Sequence, residues 1–171
     1  NKKVYKKNKF MKKINKLSAG ITLINKKFKK GEYYHYFEEP NNVIIIPKLK
    51  NYFILVKQKR EPINKKNHEF PMGWIDKGES SSNAAERELL EETGYKCSKK
   101  PKKIVEFYAD PGRGNRKCIC YFSKNLLLVG KPEKNINVLY RTKKEIIKMI
   151  NLKEFNNSSH IAAFFFCINN L

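Results

Sequence analysis

One stretch, residues 71–95, constrains the fold more than any other part of the chain. It reads PMGWIDKGESSSNAAERELLEETGY and carries five glutamates and one aspartate, although the 171-residue chain has a formal net charge of +21. On a helix, Glu88, Glu91 and Glu92 would project from one face because they are three and four residues apart. Such like charges repel unless divalent cations lie between them. The pattern predicts either a metal-binding helix face or a solvated acidic helix.

The bounds of this helix follow from its flanking residues. Asn83 is the predicted N-cap, the helix runs from about Ala84 to Thr93, and Gly94 is predicted to end it in a left-handed conformation. Ala85 and Leu89 lie on a different face from the carboxylates, so we expect that face to pack on a sheet.

The loop before the helix is predicted to shape the site. Gly73 and Gly78 allow tight turns and would bring backbone carbonyls close to the carboxylates. Glu79 is expected to act as a supporting acceptor or a further ligand. Arg87 is expected to pair with Glu91 one helical turn on and to hold that carboxylate in place.

The rest of the chain reads as many short strands with two further helices. Each strand candidate is β-branched or aromatic and bounded by Asn, Lys, Gly or Pro. One helix is predicted after Thr142, where Glu145 completes a capping box, and another after Ser158 or Ser159. This content predicts an α+β or layered α/β/α fold. The strand candidates are residues 19–24, 33–37, 43–46, 52–58, 103–108, 117–122, 126–129 and 136–140.

Composition limits the compartment and the partners. The 40% hydrophobic content suits one folded domain, and no apolar run approaches the length of a membrane span. Four cysteines fit no zinc spacing and are expected to be reduced, which favours the cytoplasm, with an organelle or the nucleus left open. No histidine has partners at ligand spacing. The excess of lysine, 12 of them before residue 32, fits either RNA binding or compositional drift.

The complete pattern resembles the box of the Nudix hydrolase superfamily at every defining position. Gly73 is followed after five residues by Glu79 and after seven more by Arg87-Glu88-Leu89-x-Glu91-Glu92-x-Gly94-Tyr95. The resemblance implies a Nudix-type α/β/α sandwich with a mixed sheet and the box as a loop–helix–loop. It also implies a Mg²⁺-dependent hydrolase, with Mn²⁺ as a possible substitute, that acts on nucleoside diphosphate derivatives.

Residues outside the box are similar to the ADP-ribose and ADP-sugar diphosphatase branch. Arg60 would contact substrate phosphates or ribose, and Glu69 would accept from the adenine amino group. Asp110 and Pro111, the latter sixteen residues beyond Tyr95, extend the similarity and are candidate substrate-binding residues. The expected substrate is a nucleoside diphosphate sugar, which would be cleaved to AMP and a sugar phosphate.

The same resemblance implies the metal and catalytic residues. The three box carboxylates, aided by the backbone carbonyls of Met72 and Gly73, would hold the cations. Related enzymes use a further glutamate downstream, but the alignment puts Lys134 at that position and Glu133 one residue early. The expected catalytic residues are Glu88, Glu91, Arg87 and Glu133.

The departure at Lys134 leaves other functions open. The chain could be a weakly active or inactive Nudix-fold component of an RNA–protein assembly such as a ribosome. It could also hydrolyse RNA caps or dinucleoside polyphosphates. We expect residues 1–40 to form a basic segment with a small β-element, which often supports a homodimer in such enzymes, and residues 41–171 to form the Nudix domain.

Overall fold

A computed structural model describes residues 12–17, 20–27 and 31–170. The chain divides into two compact units. The first comprises the described residues of Asn1–Asn41 together with Phe107–Lys117, and the second comprises Asn42–Glu106 and Cys118–Leu171. The prediction placed a boundary after residue 40 but did not assign residues 107–117 to the N-terminal unit.

The first unit is built on a three-stranded antiparallel sheet. Its strands are β1 (Lys12–Lys16), β2 (Thr22–Lys27) and β3 (Tyr33–Glu38), in the order β1-β2-β3. The returning segment joins β3 through the Phe37 N–H, which donates to the Arg113 carbonyl at 2.8 Å. The predicted small N-terminal β-element is confirmed, although β1 was not predicted and Ala19 lies outside the described residues.

The second unit contains a mixed sheet. The strands are β4 (Asn42–Leu49), β5 (Tyr52–Arg60), β6 (Lys65–Glu69), β7 (Met72–Trp74), β8 (Tyr95–Cys97), β9 (Lys102–Tyr108), β10 (Lys117–Ser123), β11 (Leu126–Leu128) and β12 (Asn137–Thr142). Five strands run in the order β12-β5-β4-β10-β9, while β6 pairs with β5 and β7 with β4. β4 is parallel to β10 and antiparallel to β5 and β7. A separate pair joins β8 to β11.

Helices cover both faces of this sheet because the strand side chains alternate. The helices are α1 (Ser81–Thr93), α2 (Lys143–Asn151) and α3 (Ser158–Asn170). On one face, Val43 and Ile45 share a buried cluster with Ala85 and Leu89 of α1. On the other face, Phe164 of α3 packs edge-on against Phe53 and lies stacked near Phe70. The predicted α/β/α sandwich with a mixed sheet is confirmed.

The predicted start of α1 is wrong by three residues. The N-cap is Ser80, whose hydroxyl accepts from the Asn83 N–H at 3.2 Å, so Asn83 lies inside the first turn. Three consecutive serines precede Asn83, and each can cap a helix, which left the position ambiguous. The capping box at Thr142 and Glu145 and the helix beginning at Ser158 are confirmed.

Two further observations concern the cysteines and the lengths of the helices. All four cysteines are buried and free of disulfides, and Cys118 and Cys120 both lie in β10. None of the helices in the described ranges is both long and apolar enough to span a bilayer.

The strands β6, β7 and β8 were not predicted because they are short, and β6 in particular reads KKNHE without an apolar pattern.

Gly94 ends α1 as predicted, and its environment permits no side chain. Its φ of 75° is left-handed, and its N–H donates to the Leu90 carbonyl at 2.8 Å. A Cβ at this position would lie 2.4 Å from the Gly130 carbonyl oxygen, which is backbone and cannot rotate away.

We therefore predict that Gly94→Ala lowers the free energy of unfolding by about 2 kcal/mol or more, measured by urea denaturation. Gly78→Ala is the matched control, because Gly78 has a similar φ of 86° but open space around it. The control is expected to cost only about 1 kcal/mol from backbone strain. Equal losses in the two variants would show that the contact with Gly130 has no energetic effect.

Candidate active site

The carboxylate face of α1 is partly buried. Glu88 and Glu92 are only 9% and 7% exposed, while the side chain of Glu91 is 42% exposed. Burying a carboxylate without compensation is costly, so each of them is expected to have polar partners. The structure supplies these partners from Arg87, β5 and β7.

Arg87 is the centre of the hydrogen-bond network. Its Nη1 donates to Glu88 at 2.6 Å and to Glu91 at 3.1 Å, which confirms the expected pairing within the helix. Its Nε and Nη2 donate to the two oxygens of Glu79 at 3.1 and 3.0 Å, and Nη2 also donates to the Trp74 carbonyl at 2.9 Å. All five N–H groups of the guanidinium are thus used. One side chain ties the loop to the helix.

Glu79 lies at the loop side of this network. Besides its two bonds from Arg87, it accepts from the Asp76 N–H at 3.1 Å. The hydrogen bonds from Arg87 are the main reason that the pKa of Glu79 lies below its ordinary value. In this arrangement Glu79 acts as the supporting acceptor, one of the two roles expected for it.

Gly73 must lack a side chain for Glu88 to occupy its position. A Cβ on Gly73 would lie 2.0 Å from Glu88 Oε1. Gly73 sits in the middle of β7 and pairs with Val43 of the central strand, so its backbone is fixed by the sheet. The glycine therefore creates the space in which the Glu88 carboxylate lies against the β7 backbone.

Glu92 is held from two strands at once. One oxygen accepts from Gln58 Nε2 at 3.1 Å, and the other accepts from the Met72 N–H at 3.2 Å. Burial raises the pKa of Glu92 to about 8, although both hydrogen bonds oppose the shift. Burial also raises the pKa of Glu88, against the hydrogen bond from Arg87 and with added repulsion from Glu91 and Glu133. Both carboxylates lie where a nearby cation would stabilise their ionised forms.

The carboxylates are already engaged within the protein. Across the described ranges, no group of three or more His, Cys, Asp or Glu side chains is arranged to hold a metal ion. The donor chemistry nonetheless suits a hard divalent cation, since buried carboxylates and backbone carbonyls are the ligands that Mg²⁺ accepts. Arg87 occupies only Oε1 of Glu88 and Oε2 of Glu91, so the second oxygen of each carboxylate can accept a cation while the bonds to Arg87 remain.

Arg60, which is partly exposed, forms an ion pair with the buried Glu69 beside the box. Arg60 Nη2 lies 2.5 Å from one oxygen of Glu69, and Nε donates to the other at 3.1 Å. Burial acts to raise the pKa of Glu69, but the hydrogen bonds from Arg60 and Asn67 hold it below its ordinary value. Arg60 Nη1 makes no hydrogen bond to any described residue, so it keeps donors for a ligand.

His160 is a residue near the site that the sequence analysis missed. It is fully buried, and its Nδ1 accepts from the Phe70 N–H at 3.1 Å. Its Nε2 lies 3.0 Å from Met72 Sδ. Burial lowers the pKa of His160 to about 4, so the ring is neutral with its proton on Nε2. From α3 it fixes the segment between Glu69 and β7, a contact that spacing along the chain does not reveal.

Glu133 approaches the carboxylate face from the loop before β12. Its N–H donates to the Glu91 carbonyl at 2.9 Å, and its charge helps to raise the pKa of Glu88. Glu133 and Lys134 both line a cavity of about 560 Å³ that also includes Gln58. The one-residue offset in the alignment therefore does not remove Glu133 from the neighbourhood of the box.

Asp110 and Pro111 belong to the first unit, whereas Arg60, Glu69 and the box belong to the second. The Asp110 carbonyl accepts from the N–H groups of Arg113 and Gly114 in the turn between β9 and β10. Pro111 lines a cavity of about 400 Å³ together with Tyr34 and Tyr36 of β3.

Comparisons with known proteins agree with this geometry. The family model for the NUDIX domain matches residues 38–163. The ADP-ribose pyrophosphatase of Bacillus subtilis (strain 168) is 32% identical over 106 residues, which cover 59% of this chain and 57% of that protein. The mouse (Mus musculus) ADP-sugar pyrophosphatase is 60% identical over 43 residues, which cover 25% of this chain and 20% of that protein.

A solved structure supports the fold over a longer range. A crystal structure titled ADP compounds hydrolase superposes with a TM-score of 0.74 at 19% identity, covering 99% of this chain and 90% of that one. The chain spans little more than half the length of the B. subtilis relative and less of the mouse one. Because the family model covers most of the sequence and the box has the fold expected of it, the chain belongs to the Nudix family.

Proposed function

We propose that this protein hydrolyses the pyrophosphate bond of ADP-ribose or a similar ADP-sugar, giving AMP and a sugar phosphate. The observation that carries the proposal is the pair of buried carboxylates, Glu88 and Glu92, held next to the β7 backbone. The names of the related pyrophosphatases from B. subtilis and mouse support ADP-ribose and ADP-sugars as substrates.

A divalent cation, Mg²⁺ or Mn²⁺, is the proposed cofactor. Glu88, Glu91 and Glu92 would hold it, aided by the backbone carbonyls of Met72 and Gly73. When bound, such an ion lowers the pKa of water and offsets charge on phosphate oxygens. Arg87 would keep Glu79 and the loop in position while the helix carboxylates hold the cation.

The protein's other groups would orient the substrate and move a proton. Arg60 would use its remaining Nη1 donors on a phosphate or ribose oxygen while Glu69 fixes its guanidinium plane. Glu69 would in turn lie near the adenine. Glu133 would accept the proton of the attacking water, with Glu88 or Glu91 as the alternative base. Asp110 and Pro111 are proposed as substrate-binding residues only on the resemblance to the ADP-sugar diphosphatase branch.

We predict that the purified protein converts ADP-ribose to AMP and ribose 5-phosphate when Mg²⁺ is present and stops when EDTA removes it. Product identification by chromatography checks the bond that is cleaved. Capped RNA and dinucleoside polyphosphates serve as competing substrates in parallel reactions. Faster turnover of either one than of ADP-ribose would assign the site to that substrate class, and turnover of none would contradict the hydrolase proposal.

We predict that Glu92→Gln lowers turnover by roughly a hundredfold or more, because a neutral amide cannot replace a carboxylate beside a cation.

In EDTA the same variant is expected to be at least as stable as wild type, since it removes a buried charge. The Gln58 amide can flip to keep its hydrogen bond. The neutral form of Glu92 is favoured in the folded state, so wild type loses stability as the pH rises from 4.5 towards about 8.

The stability advantage of Glu92→Gln should therefore grow across that pH interval, reaching on the order of 1–3 kcal/mol. Urea denaturation in EDTA at several pH values measures it. Glu86→Gln, on the same helix but away from the carboxylate face, is the matched control and should change neither turnover nor stability appreciably. If Glu92→Gln keeps wild-type turnover, Glu92 does not have the cation-binding role proposed for it.

A further inference from the structure

A basic cavity lies in the second unit, away from the box. Its volume is about 760 Å³, and five of its lining residues are lysines. Phe53, Phe122 and Ile168 contribute apolar lining. The five lysines are Lys48, Lys50, Lys124, Lys143 and Lys144.

A second cavity has two lining residues in common with the first. It measures about 280 Å³ and shares Phe122 and Lys124 with the larger one. Three more lysines line it: Lys99, Lys100 and Lys102. The segment that carries them is fixed beside Lys124, because the Ser98 N–H donates to the Asn125 carbonyl at 2.8 Å. The two neighbouring cavities are together called the lysine trough.

The lysine trough has no balancing acid. Among the described residues, no Asp or Glu lines either cavity, and none of the eight lysines forms an ion pair. Lys48 lies over the Phe53 ring at 5.5 Å, a contact that supplies no full negative charge. The nearby carboxylate of Glu145 is used in the capping box with Thr142. Eight like charges around these two neighbouring cavities repel, and a bound polyanion would relieve that repulsion.

The trough lies at the opposite end of the sheet from the box. Gly73 pairs with Val43 at the start of β4, whereas Lys48 lies near the end of that strand. Thr142 pairs with Tyr52 at the same far end. Five residues of extended strand separate Val43 from Lys48, which corresponds to about 17 Å. The trough is therefore not part of the carboxylate site and is not needed to position a pyrophosphate there.

We infer that the lysine trough binds single-stranded RNA through its phosphate backbone. An extended strand carries evenly spaced phosphates and can contact both cavities at once, whereas a mononucleotide would fill only one. The concave surface suits a flexible strand better than a convex duplex. Phe122, which is half-buried and lines both cavities, offers a ring against which a base can stack. This inference is independent of the proposed hydrolase activity.

Fluorescence anisotropy with a labelled oligouridine of about 12 nucleotides tests the inference. EDTA in the buffer prevents cation-dependent cleavage. The trough variant combines Lys50→Gln, Lys124→Gln and Lys144→Gln, all exposed lysines. The control variant combines Lys65→Gln, Lys96→Gln and Lys153→Gln, which are also exposed and line neither cavity. Both variants lose the same formal charge, and circular dichroism verifies that both are folded.

Wild type is expected to bind RNA with an affinity that falls steeply as salt is added. The trough variant should bind about tenfold more weakly or worse at the same salt, and its log–log salt slope should be shallower by about 2, for three lost phosphate contacts. The control variant should stay within about twofold of wild type.

Three results would overturn the inference. Equal weakening in both variants would mean that net charge alone attracts the RNA. Absence of binding by wild type at low salt would remove RNA as the ligand. The third result is that wild type does not bind RNA but binds inorganic tripolyphosphate or phosphatidylserine vesicles saturably, and that the trough variant loses this binding. That result would assign the trough to a small polyphosphate or to a membrane surface.

Discussion

The guanidinium of Arg87 is the interaction on which the carboxylate site depends. It connects the loop carboxylate Glu79, the Trp74 carbonyl of β7 and two carboxylates of α1 through five hydrogen bonds. Like-charged glutamates on one face of a helix would otherwise repel each other. A planar group with fixed donors satisfies them in a single geometry, which a lysine could not do.

The same site contains a tension between stability and function. Burial raises the pKa values of Glu88 and Glu92, so the isolated protein bears the cost of two carboxylates in a poorly solvated place. Gly73 has no side chain, which leaves room for Glu88 to lie against β7. His160 contacts Phe70 and Met72 through its two ring nitrogens and so fixes the segment that leads into β7. Local features that lower the stability of the ligand-free protein are expected at sites that bind a ligand.

Charge is also separated along the central strand. Carboxylates gather around the start of β4, and eight lysines surround the trough at its far end. Net charge alone could not distinguish a solvated lysine-rich surface from a binding site. The arrangement of Lys50, Lys124 and Lys144 around one depression without acids makes that distinction, because these residues are distant in sequence and meet only in the fold.

The local pattern of the sequence was sufficient for the box. Spacing of three and four residues put Glu88, Glu91 and Glu92 on one face, and Gly94 marked the helix end, because these are effects of neighbours along the chain. The N-cap was less certain, since three serines compete with Asn83. Only the tertiary structure brought Gln58 and His160 to the site. For Met72 and Glu133, which the resemblance had already named, it supplied the contacts: the Met72 N–H bonds to Glu92 and the Glu133 N–H to the Glu91 carbonyl. Those contacts join strands, loops and a helix far apart in sequence, and their geometry depends on how the sheet is ordered rather than on any periodic pattern.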